Sequence, residues 1–133
     1  MKFVSFILFI LFFNLTIHAQ DKKSLNIQRA SIAPKIDGEL NDPAWQDAEL
    51  AENFIQFRPD VGVLENETQK TVVHVTYDNE AIYFGAYLYD NPDKIMKQFQ
   101  SRDNFGINDF FAVVLNPNND SQNDTEFFVF PTG

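Results

Sequence analysis

The sequence predicts an all-β fold, an antiparallel β-sandwich, and three observations carry that expectation. Thr71 to Asp90, TVVHVTYDNEAIYFGAYLYD, alternates side chains with period two on both sides of an Asp78-Asn79-Glu80 turn. A second alternating run, Phe110 to Asn116, is followed by an Asn/Asp-rich loop and a third run, Glu126 to Phe130. Helical spacing, in contrast, is confined to single turns. Period-two patterning rich in β-branched and aromatic residues marks half-buried strands. In the Thr71–Asp90 hairpin neither face is plainly polar, because Tyr83, Tyr87 and Tyr89 occupy the face opposite Ile82, Phe84, Ala86 and Leu88. That suits a strand with one face on another sheet and the second face covered or in use.

Before these elements the chain opens with a processing signal. Lys2 supplies a charged start, Phe3 to Ile17 is almost unbroken apolar residues, and Ala19 offers a small residue at a cut near position 20. The run is short for a membrane span and the polar DKKS follows it, so residues 1–20 are expected to be a signal peptide. The remaining 21–133 are expected to form one exported domain in the periplasm, the outer membrane or outside the cell. Removing Lys2 takes the formal charge from −9 to −10. A domain this acidic repels phosphate backbones, which argues against nucleic acid as a partner. It contains no cysteine. Thiol catalysis, cysteine metal sites, disulfides and a cysteine-linked lipid anchor are excluded with it.

Taken in order, Leu25 to Ile32 alternates and reads as a short edge strand ended by Pro34. Asp37-Gly38 is a turn, and Asp42 with Pro43 reads as an N-cap followed by the first helical position. Ala44, Trp45 and Ala48 follow at helical spacing, so one turn of helix should present Trp45 to the core. Phe54 to Phe57 reads as a short strand and Arg58 to Gln69 as a loop. After the hairpin, Asn91-Pro92-Asp93 caps a short helix carrying Ile95, Met96 and Phe99, and Ser101 to Asp109 is a polar loop. Six strands result, too few to close a second sheet. The domain is therefore expected to be truncated at its C-terminus, with further domains of the same chain beyond it.

These residues resemble a family. Ile36-Asp37-Gly38 followed by Pro43-Ala44-Trp45, then VTYDNEAIYFGAYLYD, then NDFFAVVLNPNND are together similar to the family 9 carbohydrate-binding modules. They are most similar to the version at the N-terminus of large exported Bacteroidetes-type proteins. The resemblance covers about Ile32 to Gly133. It implies a non-catalytic module that binds an oligosaccharide or polysaccharide, carried by a larger envelope protein acting in polysaccharide catabolism. Two alternatives remain open: a structural or protein-interaction sandwich without sugar binding, and a segment of a glycoside hydrolase whose catalytic domain lies beyond residue 133.

For chemistry, His18 leaves with the signal and His74 sits in mid-strand, where a histidine usually fills a face. HExxH, GxSxG and phosphate-binding glycine loops are all missing from the sequence. No catalytic residue is assigned. Sugar recognition needs a flat ring flanked by planar polar groups, because the pyranose C–H face stacks while its hydroxyls need partners. Arg102, Asp103, Phe105 and Asp109 form the best local set. The resemblance places a tryptophan just before the Phe110 strand, a charged residue within it and an arginine in the next. Here those positions read Asn104-Phe105-Gly106, Ala112 and Phe128. Asn116, Asn118, Asp120 and Asp124 form an oxygen-rich loop suited to calcium, although turn chemistry explains the same composition. Structural calcium is what the resemblance implies there.

Overall fold

The computed structural model describes residues 23–101, 104–120 and 122–132. The expected signal peptide lies outside them. The described residues are an all-β structure. Strand β1 is Gln28–Arg29, β2 Glu49–Ala51, β3 Thr71–Tyr77, β4 Ile82–Leu88, β5 Phe111–Leu115 and β6 Thr125–Val129. Helix is limited to one four-residue turn, α1 at Pro43–Gln46, and two three-residue 3-10 turns at Glu67–Gln69 and Pro92–Lys94. None of the helices among the described residues is long and apolar enough to cross a membrane.

The expected hairpin is the centre of the larger sheet. β3 pairs antiparallel with β4 over its whole length, from Thr71↔Leu88 to Tyr77↔Ile82. The turn is closed by Asp78, whose Oδ1 accepts from the backbone N–H groups of Glu80 at 2.8 Å and Ala81 at 2.9 Å. The other edge of β3 is shared. β2 runs antiparallel opposite Val73–Val75, and β1 runs parallel opposite Thr76–Tyr77. The parallel pairing corrects the expectation of a wholly antiparallel fold, and the sheet is mixed. Thr76, only 2% exposed, supports it by donating its hydroxyl to the Gln28 carbonyl at 2.9 Å.

Further boundaries differ from the sequence reading: the helix expected to carry Ile95, Met96 and Phe99 is a 3-10 turn that ends at Lys94, so these residues lie outside it. The strand before the hairpin is Glu49–Ala51 rather than Phe54–Phe57. Phe54 to Leu64 instead folds back on itself through an Ile55↔Leu64 bridge and a Gln56 N–H donating to the Val63 carbonyl at 2.7 Å. Glu65 then ties this loop to the sheet, accepting from Phe54 N–H at 2.9 Å and Thr71 N–H at 2.8 Å with its two carboxylate oxygens. Asp42 stands before α1 as expected, but its side chain does not cap the helix. It accepts from the Lys35 N–H at 2.9 Å and so closes the Pro34–Asp42 loop.

Each face of the sheet buries part of the core, and Trp45 dominates one of them. Trp45, presented by α1, is 2% exposed and packs edge-on against His74 with ring centroids 6.4 Å apart. It sits over Gly85, where an added Cβ would meet Leu40 Cδ2 at 2.5 Å and Trp45 Cη2 at 3.3 Å. The glycine is therefore favoured by the close approach of the Leu40 and Trp45 side chains, not by its backbone angle. Trp45 Nε1 has no hydrogen-bond partner among the described residues. That costs about 1–3 kcal/mol. Burying a ring of this size, roughly 150–250 Å² at about 25 cal/mol per Å², returns about 4–6 kcal/mol, so burial wins.

The opposite face of the sheet is less covered. Val73 and Val75 are each 6% exposed, while Ile82 and Leu88 at the two ends of β4 are about half exposed. Ile82, Phe84, Ala86 and Leu88 form one wall of an apolar cleft of about 600 Å³. Its other wall comes from β5 and β6, which among the described residues pair only with each other, Phe111↔Val129 to Leu115↔Thr125.

Two substitutions test this core. Trp45→Ala is expected to cost about 3–5 kcal/mol in chemical denaturation. Gly85→Ala is expected to cost about 1–3 kcal/mol through overpacking, and adding Leu40→Ala should recover part of that loss in a double-mutant cycle.

Candidate ligand-binding surfaces

The β5–β6 ribbon has two faces of different character. Phe111, Val113, Leu115, Phe127 and Val129 line the apolar cleft. The alternate residues put Ala112 opposite Phe128, and this small side chain leaves room for the larger ring. Phe110 and Phe130 lie one step beyond the Phe111↔Val129 pair. Their rings, with Phe128, form a cluster into which Phe105 fits. Phe105 lies 4.9 Å from Phe128, 5.6 Å from Phe130 and 6.3 Å from Phe110, centroid to centroid and edge-on in each case. It remains 49% exposed. One part of the ring is supported and the other meets water.

The loop that carries Phe105 is held by its own amides. Gly106, at φ +56°, sits in the left-handed region, and its N–H donates to Asn104 Oδ1 at 3.0 Å. Asn108 Nδ2 donates to the Phe105 carbonyl at 2.9 Å, and Asn108 Oδ1 accepts from Gln98 N–H. Asp109 is bound twice to Met96, accepting from its N–H through Oδ2 and donating its own N–H to its carbonyl, both at 2.9 Å. The Met96–Gln98 and Asn108–Asp109 segments thus clamp the base of the loop.

Of the four residues expected to bind a ligand, the structure places Phe105 on the aromatic cluster and Asp109 at its base. Arg102 and Asp103 lie outside the described residues. Asp109 also lines a second cleft, about 560 Å³, with Gln69, Tyr89, Asp90, Asn108, Phe110 and Phe130 among its walls. Phe110 and Phe130 border both features. Sequence reasoning missed Phe110, Phe128 and Phe130 as partners of Phe105, although the i, i+2 spacing of Phe128 and Phe130 on one strand face was a usable signal. It also missed Asp90, whose Oδ1 accepts from Asn91 N–H at 2.7 Å.

The oxygen-rich loop is organised by Asp120. Its Oδ1 accepts from the N–H groups of Gln122 at 3.0 Å and Asn123 at 3.1 Å, and its Oδ2 accepts from Asn123 Nδ2 at 3.1 Å. Asn116 Oδ1 accepts from Asp120 N–H at 3.2 Å, and Asn119 adopts φ +50°. Asn118 and Asp124 make no side-chain hydrogen bond among the described residues. These donors, the Gln122 N–H first and then the Asn123 side chain, hold the Asp120 carboxyl down to about 2. Grouped His, Cys, Asp and Glu side chains that suffice for a metal ion are not found among the described residues.

His74 has a packing role. Nδ1 lies 3.2 Å from the Trp45 carbonyl, so Nδ1–H donates there, and the ring meets Tyr87 edge-on at 6.2 Å. Asp78 and Tyr83 form the other polar pair of this sheet. The phenol donates to Asp78 Oδ2 at 2.9 Å. Backbone donation from Glu80, then from Ala81, followed by this phenol, lowers the Asp78 pKa, and the same bond raises that of Tyr83.

Compared with known proteins, the chain matches no family model, and no curated protein or solved structure matches it significantly.

The Asp120 geometry predicts a pH response. Its folded pKa lies below the ordinary carboxylate value of about 3.9, so its contribution is present above about pH 4 and is lost as pH falls toward 2. Amide shifts of Gln122 and Asn123 followed by NMR should stay constant from pH 7 to about pH 4 and move together below it. Asp120→Asn should abolish that transition.

Proposed function

We propose that this chain is a non-catalytic carbohydrate-binding module of the family 9 type. In this reading the β1–β4 sheet and the β5–β6 ribbon are parts of the two layers of a β-sandwich, exported and attached to a larger envelope protein. The single observation that carries the reading is the placement of Phe105. It is a half-exposed ring seated on Phe110, Phe128 and Phe130, beside a cleft edged by the carboxylates of Asp90 and Asp109 and the amides of Gln69 and Asn108. Such a ring offers an apolar platform for the C–H face of a sugar, and the polar edge supplies acceptors and donors for its hydroxyls. Asp109 takes a positioning role through Met96.

Structural calcium belongs to the same proposal. Asn118 and Asp124, with lone pairs remaining on Asn116 and Asp120, are the oxygen donors that would hold the ion, and the ion would supply a hard cross-link between the ends of the loop.

Calorimetric titration with soluble cello-, xylo-, manno- and chito-oligosaccharides tests the binding claim. Phe105→Ala should weaken binding by about 1–3 kcal/mol, by analogy with stacking on aromatic rings elsewhere, while the melting temperature stays within a few degrees of wild type. A folded protein that binds none of these sugars would sink the reading. Calcium should raise the melting temperature of wild type and not of Asp124→Asn.

A second reading, a protein-interaction module without sugar binding, is favoured by one observation, the open apolar cleft between β4 and the β5–β6 ribbon.

A further inference from the structure

We propose that this apolar cleft receives an extended peptide segment, apolar on alternate residues and basic at its ends, which adds to the free edge of β4. Four features lead to it.

The first is hydrogen bonding. β4 pairs only with β3 among the described residues, so its outer edge presents a row of backbone N–H and C=O groups without strand partners. An added strand satisfies such a row, and pockets along the edge select alternate side chains.

The second is the chemistry of the walls. All nine residues that line the cleft are apolar: Ile82, Phe84, Ala86 and Leu88 on one side, and five from β5 and β6 on the other. Ile82, Leu88, Phe127 and Val129 are each between 51% and 61% exposed. Water contact over so continuous an apolar surface is unfavourable, and a surface of this kind marks an interaction site.

The third is periodicity. The β4 residues on the cleft wall are every second residue of the strand, so an occupant paired to that edge must itself alternate to place its apolar side chains on the same face.

The fourth is charge complementarity. Residues 71–133 contain nine acids (Asp78, Glu80, Asp90, Asp93, Asp103, Asp109, Asp120, Asp124 and Glu126) against three bases (Lys94, Lys97 and Arg102), a net −6. Six of these acids flank the ends of the cleft strands β4 and β5. Asp78 and Glu80 precede Ile82, Asp90 follows Leu88, Asp109 precedes Phe111, and Asp120 and Asp124 follow Leu115. Lysine or arginine at the ends of the incoming segment is therefore favoured, and acidic ends are repelled.

The test uses a fluorescently labelled synthetic peptide with a seven-residue alternating Val/Thr segment, the length of β4, and lysines at both ends. Anisotropy titration against the full chain should show saturable binding. The glutamate-ended version should bind at least about tenfold more weakly, with a difference that shrinks at high salt. A peptide of the same composition with the alternation broken should bind at least about tenfold more weakly too. Ile82→Gln and Phe127→Gln change cleft residues already half exposed, so they should keep the fold by circular dichroism and each reduce binding about tenfold. Val114→Gln, on the other face of the ribbon, should leave it unchanged. Three outcomes overturn the proposal: no binding of the lysine-ended peptide, equal binding of the ordered and broken peptides, or self-association in sedimentation velocity that Ile82→Gln abolishes. The last would assign the cleft to a second copy of the chain.

Discussion

A β-strand has two hydrogen-bonding edges and two side-chain faces, and β3 uses all four. Its edges serve β4 on one side and β2 with β1 on the other. One face carries His74 and Thr76 toward Trp45 and the α1 segment, and the other buries Val73 and Val75. Several elements distant in sequence meet on this strand: β1 by the Thr76 hydroxyl, the Phe54–Leu64 loop by Glu65, and α1 by the His74 ring. The same arithmetic explains what is left open. With β3 saturated, β4 has one spare edge among the described residues, and the ribbon of β5 and β6 faces the sheet across a cleft.

The acidity of the chain acquires a local meaning from the turns. Asp78 and Asp120 each accept backbone N–H groups two and three residues ahead, and Asn66 and Asn91 accept one two residues ahead. These are Asx turns, in which a short polar side chain substitutes for a backbone carbonyl. Carboxylates that a catalytic reading might pair are thus occupied in holding loops. Asp109 follows the same logic at longer range through Met96. Its carboxylate helps hold the base of the Phe105 loop, and the Phe105 ring is left half exposed.

Much of this was legible in the sequence where the signal was local. The β3–β4 and β5–β6 pairs were readable because each is a period-two run on both sides of a turn. Trp45 was readable because a Pro-initiated turn with small neighbours directs one large ring inward, and its 2% exposure bears that out. The parallel β1–β3 contact was not readable, since it joins residues about fifty positions apart through two ladder pairs. β2 escaped because Glu49-Leu50-Ala51 has no β-branched residue, and the free edge of β3 makes it a strand. Phe54 and Phe57 misled, since both are apolar yet exposed. In the candidate site, Phe105 was legible as an aromatic residue in a polar loop. Its three supporting rings were not, because they depend on the register of β5 against β6.

β3 organises the molecule, and the ribbon depends on it least. Native-state hydrogen exchange measures this directly, residue by residue. The slowest exchange is expected at Val73 to Thr76, with intermediate protection along β4 and the fastest strand exchange in β5 and β6. Equal protection across all six strands, or a ribbon that outlasts β3, would contradict it.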